Sequence, residues 1–155
     1  MRHVGAHVGG MRRMKRSRKR VQVLISHASQ DDWVARQIAF HVKRCGATPF
    51  LDVLDLEQGD DYDAKLMKAT RESRELIVLF TPAASRSKNV WMEMGSFWGQ
   101  GKRIVCVLYG FTIAQLLKDK QVPMAVKKLQ LVEIDDIDKY FRQLRRRVKK
   151  AGCSL

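Results

Sequence analysis

The sequence predicts an α/β domain with a parallel sheet wound between helices on both of its faces. Three observations carry that expectation. Strand-like and helix-like segments alternate five times along the chain. The most apolar run, Leu76-Ile77-Val78-Leu79-Phe80, is hydrophobic without alternation, as a strand covered above and below must be. And 155 residues with 45% hydrophobic content suit a single core, with no internal repeat and no linker long enough to divide it.

In order, Val21–Ser26 is a short β-rich run ending in a polar loop, His27 to Gln30. Asp31-Asp32 opens a helix that Gly46 ends, with Trp33, Val34, Ile38, Val42 and Phe40 marking its inner face. Thr48-Pro49-Phe50-Leu51 is a second strand, and its proline places it at a sheet edge. An acidic loop, 52–60, leads to a helix from about Asp61 to Ser73 with Leu66, Met67 and Ala69 inward. Glu75–Thr81 is the central strand. Ser87 then N-caps a helix running to Gln100-Gly101, with Val90, Trp91, Met94, Phe97 and Trp98 on one stripe. Arg103–Tyr109 is a buried strand, Thr112–Lys118 a short helix and Lys128–Ile134 a fifth strand. Ile137–Lys150 closes the domain, with Ile137, Tyr140, Phe141, Leu144 and Val148 on one face and Arg/Lys on the other.

The formal charge of +14 is unevenly placed. Of 30 basic residues, eight lie in Met1–Arg20 and seven in Lys139–Leu155, where no acid occurs; the remaining 15 face all 16 acidic residues in Val21–Asp138. The expected organisation is a basic disordered tail (1–20), a domain (21–150) and a tail (151–155). A basic arm binds nucleic acid or an anionic surface without specificity, but no aromatic residues are interleaved with the N-terminal charges to stack on bases. Met11 and Met14 leave a later translation start open. Cys45, Cys106 and Cys153 are odd in number and widely spaced, which argues for free thiols and against a disulfide framework or zinc site. His3, His7 and His41 show no metal-ligand spacing. No stretch approaches a membrane span, and the charged start lacks the apolar core of a secretory signal, so the expected localisation is cytoplasmic; an Arg-rich, acid-free start has only a superficial likeness to a mitochondrial transit peptide.

In such a fold ligands bind at the carboxyl ends of the strands, so the loops there hold the candidate chemistry. These are Ser26, His27 and Ser29 after the first strand, Asp52 to Asp60 after the second, Ser85 to Glu93 after the third and Tyr109-Gly110 after the fourth. Neither GxxxxGK[ST] nor GxGxxG follows a strand, which excludes a P-loop and a dinucleotide cradle. A phospho-acceptor receiver needs acids where Ser26-His27 and Thr81-Pro82 stand. A Ser–His triad from Ser26 or Ser29 with His27 lacks the nucleophile elbow. Glu93 lies between Val90 and Phe97 on the helical wheel, at the edge of the apolar stripe. There it reads either as a site carboxylate or as an ordinary helix-start acid favoured by the dipole. His27 reads equally as a shielding loop histidine or a ligand contact, and Trp91 and Trp98 as packing residues more than as platforms.

Taken together, these segments resemble a Toll/interleukin receptor (TIR) domain of the bacterial kind. Ile25-Ser26-His27-Ala28-Ser29-Gln30-Asp31-Asp32-Trp33-Val34 is similar to the family's opening FISYSSKDxxWV, with His27 where Tyr is usual. Phe50-Leu51-Asp52 with Gly59-Asp60 resembles its second strand and BB loop. Ala69–Ser73 resembles AIxxS, Val78–Pro82 resembles IVVLSP, and Ser87–Glu93 resembles SxWVxxE with Ser and Glu in register; Asn89 stands where that family has Trp. The match spans Val21 to about Gly110. The resemblance implies a flavodoxin-like three-layer sandwich, a five-stranded parallel sheet of order 2-1-3-4-5. It also implies cleavage of NAD+ at the nicotinamide–ribose bond, with Glu93 catalytic and NAD+ a substrate rather than a cofactor; no metal is needed. Ser26, His27, Ala28, Ser29, Asp52, Gly59, Asp60, Ser87, Asn89 and Trp91 are the implied substrate-binding positions. The implied partners are further copies of the chain through TIR–TIR contacts and a separate sensor or effector protein, the implied setting antiviral innate immunity. Other members are non-enzymatic adaptors assembling through the loop Leu54–Asp60, and a nucleoside deoxyribosyltransferase-like enzyme is a more distant alternative.

Overall fold

The computed structural model describes residues 20–51 and 61–153. Five parallel strands, β1 (Gln22–Ser26), β2 (Thr48–Leu51), β3 (Glu75–Phe80), β4 (Arg103–Leu108) and β5 (Gln130–Glu133), lie in the order β2-β1-β3-β4-β5. β3 is central and buried at every position, and Pro49 sits on an edge strand where its missing N–H costs no ladder bond. In register, Leu24 lies beside Leu76 and Ser26 beside Val78.

The alternation of side chains along the strands divides the core in two. Val23, Ile25, Ile77, Leu79, Val105 and Val107 face α1 (Asp32–Arg44) and α6 (Ile137–Cys153). Leu24, Leu76, Val78, Phe80, Cys106 and Leu108 face α3 (Lys88–Gly99), α4 (Ile113–Lys118) and α5 (Met124–Lys127). α2 (Tyr62–Glu72) lies beside α3, completing the three layers. Side chains start three helices, Ser87 as the sequence predicts: Asp61 accepts from Ala64 N (3.1 Å), Ser87 from Val90 N (3.4 Å), and Thr112 forms a reciprocal box with Gln115 (3.2 and 2.8 Å). α1 ends at Gly46, whose φ of +87° suits glycine alone.

Several inward assignments are corrected. Trp33 (71% exposed), Phe40 (57%), Met67 and Trp98 point to solvent, because helical period places Ala35, Ile38, Ala39 and Val42 rather than their bulkier neighbours over the sheet. The short α5 is absent from the sequence reading, since four residues carry no period. α6 continues to Cys153 rather than ending at Lys150.

One polar lock sits inside the core at the amino end of β3. The Glu75 carboxylate accepts from Arg147 Nε (3.2 Å) and Nη2 (2.8 Å) and from the Tyr140 hydroxyl (3.2 Å), and Arg147 lies over the Tyr140 ring. It ties α6 to the central strand.

Candidate functional site

At the opposite, carboxyl end of the sheet, the chain leaves β3 through Thr81-Pro82 and a 3-10 turn at Ala84–Arg86 before Ser87 caps α3. Two hydrogen bonds fix this passage. The Thr81 hydroxyl donates to Asp31 Oδ2 (2.5 Å), joining the loops after β1 and β3, while Thr81 Oγ1 accepts from Ala84 N (3.0 Å). Gly110, at φ +94°, lets the loop after β4 approach Pro82, where a Cβ would stand 3.2 Å from the ring.

α3 turns Val90, Met94 and Phe97 into the sheet, and Glu93 goes with them: it is 3% exposed, deeper than the rim position its spacing suggests. Glu93 lines a cavity of about 310 Å³ between α2 and α3, with Asp63, Leu66, Met67 and Thr70 from α2 and Met92 and Ser96 from α3. Among the described residues two carboxylates, Asp63 and Glu93, border it and give it an acidic lining. Leu66, Met67 and Met92 supply apolar, polarisable walls. Asp63 is the functional candidate that the sequence reading missed. Its signal was present, a turn-spaced set of Asp63, Met67 and Thr70 on one helical face, but nothing in the sequence shows which face of α2 meets α3.

Ser26 ends β1 on the sheet face that α3 also covers, 1% exposed, and its Oγ has no hydrogen-bond partner among the described residues. The His27 side chain is fully buried, with Nδ1 3.4 Å from Ile25 O and Nε2 3.4 Å from Asp32 Oδ1. Arg36, donating to Asp32 Oδ2 at 2.8 Å, holds that carboxyl below its usual range. Ala28 is buried and Ser29 exposed. Ser87 Oγ is engaged as the α3 cap, and Asn89 is exposed one turn below Glu93. Asp52, Gly59 and Asp60 lie outside the described residues.

Trp91 is not brought to the Glu93 cavity. Its indole donates to Ser85 O (2.9 Å), meets Phe80 edge-on, and lines a second, apolar cavity with Met94, Trp98 and Val126. Two residues before Glu93 on a helix means a different side of it. Among the described residues, no three His, Cys, Asp or Glu side chains gather in a metal-binding group, and no helix is long and apolar enough to cross a membrane.

The chain belongs to the TIR-domain family, whose family model matches residues 23–148. It is 24% identical over 137 residues to a Brachypodium distachyon protein named probable 2′ cyclic ADP-D-ribose synthase BdTIR, covering 87% of this chain and 59% of that one. The chain thus spans about three fifths of that relative's length. Among solved structures, it is similar to the TIR domain of the Toll-related receptor TRR-2 from Hydra magnipapillata (TM-score 0.62, 22% identity, 82% of this chain and 97% of that one). It is also similar to the TIR domains of the activated Roq1 resistosome, which recognises the pathogen effector XopQ (TM-score 0.56, 21% identity, 86% and 85% coverage). At these identities the structures share the fold.

Proposed function

We propose that this TIR domain is an NAD+ nucleosidase that cleaves the nicotinamide–ribose bond, with Glu93 as its catalytic carboxylate. The observation that carries this reading is the buried Glu93, set with Asp63 in a cavity between α2 and α3 at the carboxyl end of the sheet. The nicotinamide ring of NAD+ bears a positive charge, and departure of neutral nicotinamide moves that charge to the ribose as an oxocarbenium-like cation. A fixed carboxylate stabilises that cation more than it stabilises the bound substrate. Water attacking the anomeric carbon gives ADP-ribose; an internal nucleophile gives a cyclic product, and an incoming base gives exchange. The name of the Brachypodium relative, a probable cyclic ADP-ribose synthase, supports the same bond cleavage.

Around Glu93, Ser26, His27, Ala28 and Ser29 border the substrate from the loop after β1, and Asp52, Gly59 and Asp60 from the loop after β2. Ser87, Asn89 and Trp91 set the entry to α3, Trp91 from its packed position. Catalysis follows self-assembly through TIR–TIR contacts under a separate sensor, in the cytoplasm of a bacterial cell as part of antiviral defence. The test is nicotinamide release from NAD+ by the concentrated protein, free and crowded on beads, followed by chromatography. Glu93→Gln is expected to lower release at least about 100-fold with thermal unfolding unchanged. No release by the wild type in either format would leave the non-enzymatic adaptor reading.

A further inference from the structure

We infer that Lys102 is a positioning residue of the Glu93 cavity, pinning α2 to α3 and so setting how closely the Asp63 wall approaches Glu93. The inference rests on the catalytic reading of that cavity. One stripe of α2 builds the wall, Asp63, Leu66, Met67 and Thr70 recurring at steps of three and four residues. Lys102 lies outside α2, between α3 and β4. Its ammonium donates to the carbonyl oxygens of Thr70 (2.6 Å) and Arg71 (2.8 Å), in the last turn of α2. The same Nζ stands 5.4 Å from the centre of the Phe97 ring, a fully buried residue of α3. The Lys102 backbone N–H donates to Phe97 O (3.1 Å), after Gly101 turns the chain at φ +62°. Lys102 is thus fixed to α3 and holds α2.

A lysine on terminal carbonyls has an ordinary role as a helix cap, favoured by the dipole. Two features go beyond that role. The first is whose carbonyls these are: Thr70 is both a partner of Lys102 and the end of the cavity wall. The second is leverage. The other tie at this end joins the exit of α2 to β1, with Ser73 Oγ accepting from Gln22 Nε2 (3.0 Å) and Arg74 N donating to Gln22 O (2.9 Å). A helix held at one point can tilt about it, and Lys102 supplies a second point, toward α3. Asp63 precedes Thr70 by about 10 Å along the axis, so a tilt of about 10° displaces it by roughly 2 Å. Burial lowers the Lys102 ammonium from its ordinary value of 10.5, so the charge is held there at a cost. Displacement of the wall acts on binding more than on chemistry, because Glu93 is seated separately, by the buried Val90, Met94 and Phe97 of its own helix.

The test is steady-state nicotinamide release from NAD+ by the full chain, with hydrogen exchange of the same proteins. Lys102→Met keeps the stem over Phe97 and removes the donor; Lys102→Arg restores a donor. Lys102→Met is expected to raise KM about fivefold or more, with kcat within about twofold of wild type. Simple destabilisation does the opposite, removing active molecules so that apparent kcat falls and KM holds. Lys102→Arg should return KM to within about twofold of wild type. In Lys102→Met/Asp63→Asn the two KM effects should fall short of multiplying, because both act through one wall. Exchange in Lys102→Met should quicken across residues 64–72 and hold in α6. The positioning role is overturned, with the catalytic reading intact, by unchanged KM or a fall in kcat alone in folded Lys102→Met. Fully multiplicative KM effects, or wild-type exchange in α2, overturn it equally. No release by the wild type overturns the catalytic reading and this role with it.

Discussion

Glu75 and Glu93 are both 3% exposed, yet they sit in opposite chemical surroundings at opposite ends of the sheet. Glu75 is saturated: a two-pronged guanidinium and a phenol occupy its oxygens. Glu93 lines a cavity that it shares with a second carboxylate, Asp63. Burial therefore does not by itself mark a functional acid. What differs is that Glu75 is locked by Arg147 and Tyr140, whereas Glu93 lines a cavity that a ligand can enter.

That contrast is sharpest when both are changed to glutamine. Glu93→Gln is expected to remove activity by at least about 100-fold while unfolding midpoints hold, because a neutral amide of the same shape packs as the acid does. Glu75→Gln should do the reverse. It strands Arg147 at a partly buried position, at a cost of about 3 kcal/mol, while nicotinamide release per folded molecule stays near wild type. Urea unfolding beside the release assay reads both. Equal loss of activity in the two variants would collapse the distinction.

Asp63 tests the cavity's charge rather than its catalyst. Asp63→Asn is expected to raise KM for NAD+ about fivefold, with a smaller change in kcat, as one of two charges facing the pyridinium is removed. Its stability cost should stay near 0.5 kcal/mol, the worth of an acid in the first turn of α2. A variant in which kcat falls and KM holds would move Asp63 from binding to chemistry.

The legibility of these features from sequence follows their range. The strand–helix alternation, the edge position of β2 and the cap at Ser87 rest on local patterns, an unbroken apolar run, a proline and short polar spacings, and all are present; the strand order came from the family resemblance. Glu93 was legible as a candidate because its spacing from Ser87 is local. Asp63 opposite it was not, since α2 and α3 meet only after β3 has been laid between them in sequence. Trp33 and Phe40 were misassigned for a related reason. Hydrophobicity marks large rings as core, but the sheet surface beneath α1 accepts Ala35 and Ala39, and close helix–sheet packing leaves the rings outside. The Glu75–Arg147–Tyr140 lock joins residues 65 and 72 positions apart, and no short motif announces it.

That lock has one further consequence, in alkaline solution. Burial, and then the Glu75 carboxylate, push the Tyr140 phenol well above its ordinary value of 10.0. The folded state thus keeps a proton that the unfolded chain gives up. The stability this contributes is complete below about pH 10 and is lost as the pH rises from there toward the folded-state value. Near pH 8, Tyr140→Phe should be less stable than wild type by about 1 kcal/mol, the worth of its hydrogen bond. Above pH 10 the wild type should lose up to about 1.4 kcal/mol per pH unit more than the variant, so the two stability curves converge and cross. Urea unfolding at pH 8 and near pH 11 measures this directly. Parallel curves would show that the phenol titrates in the folded protein as it does in water, and that the lock is open there.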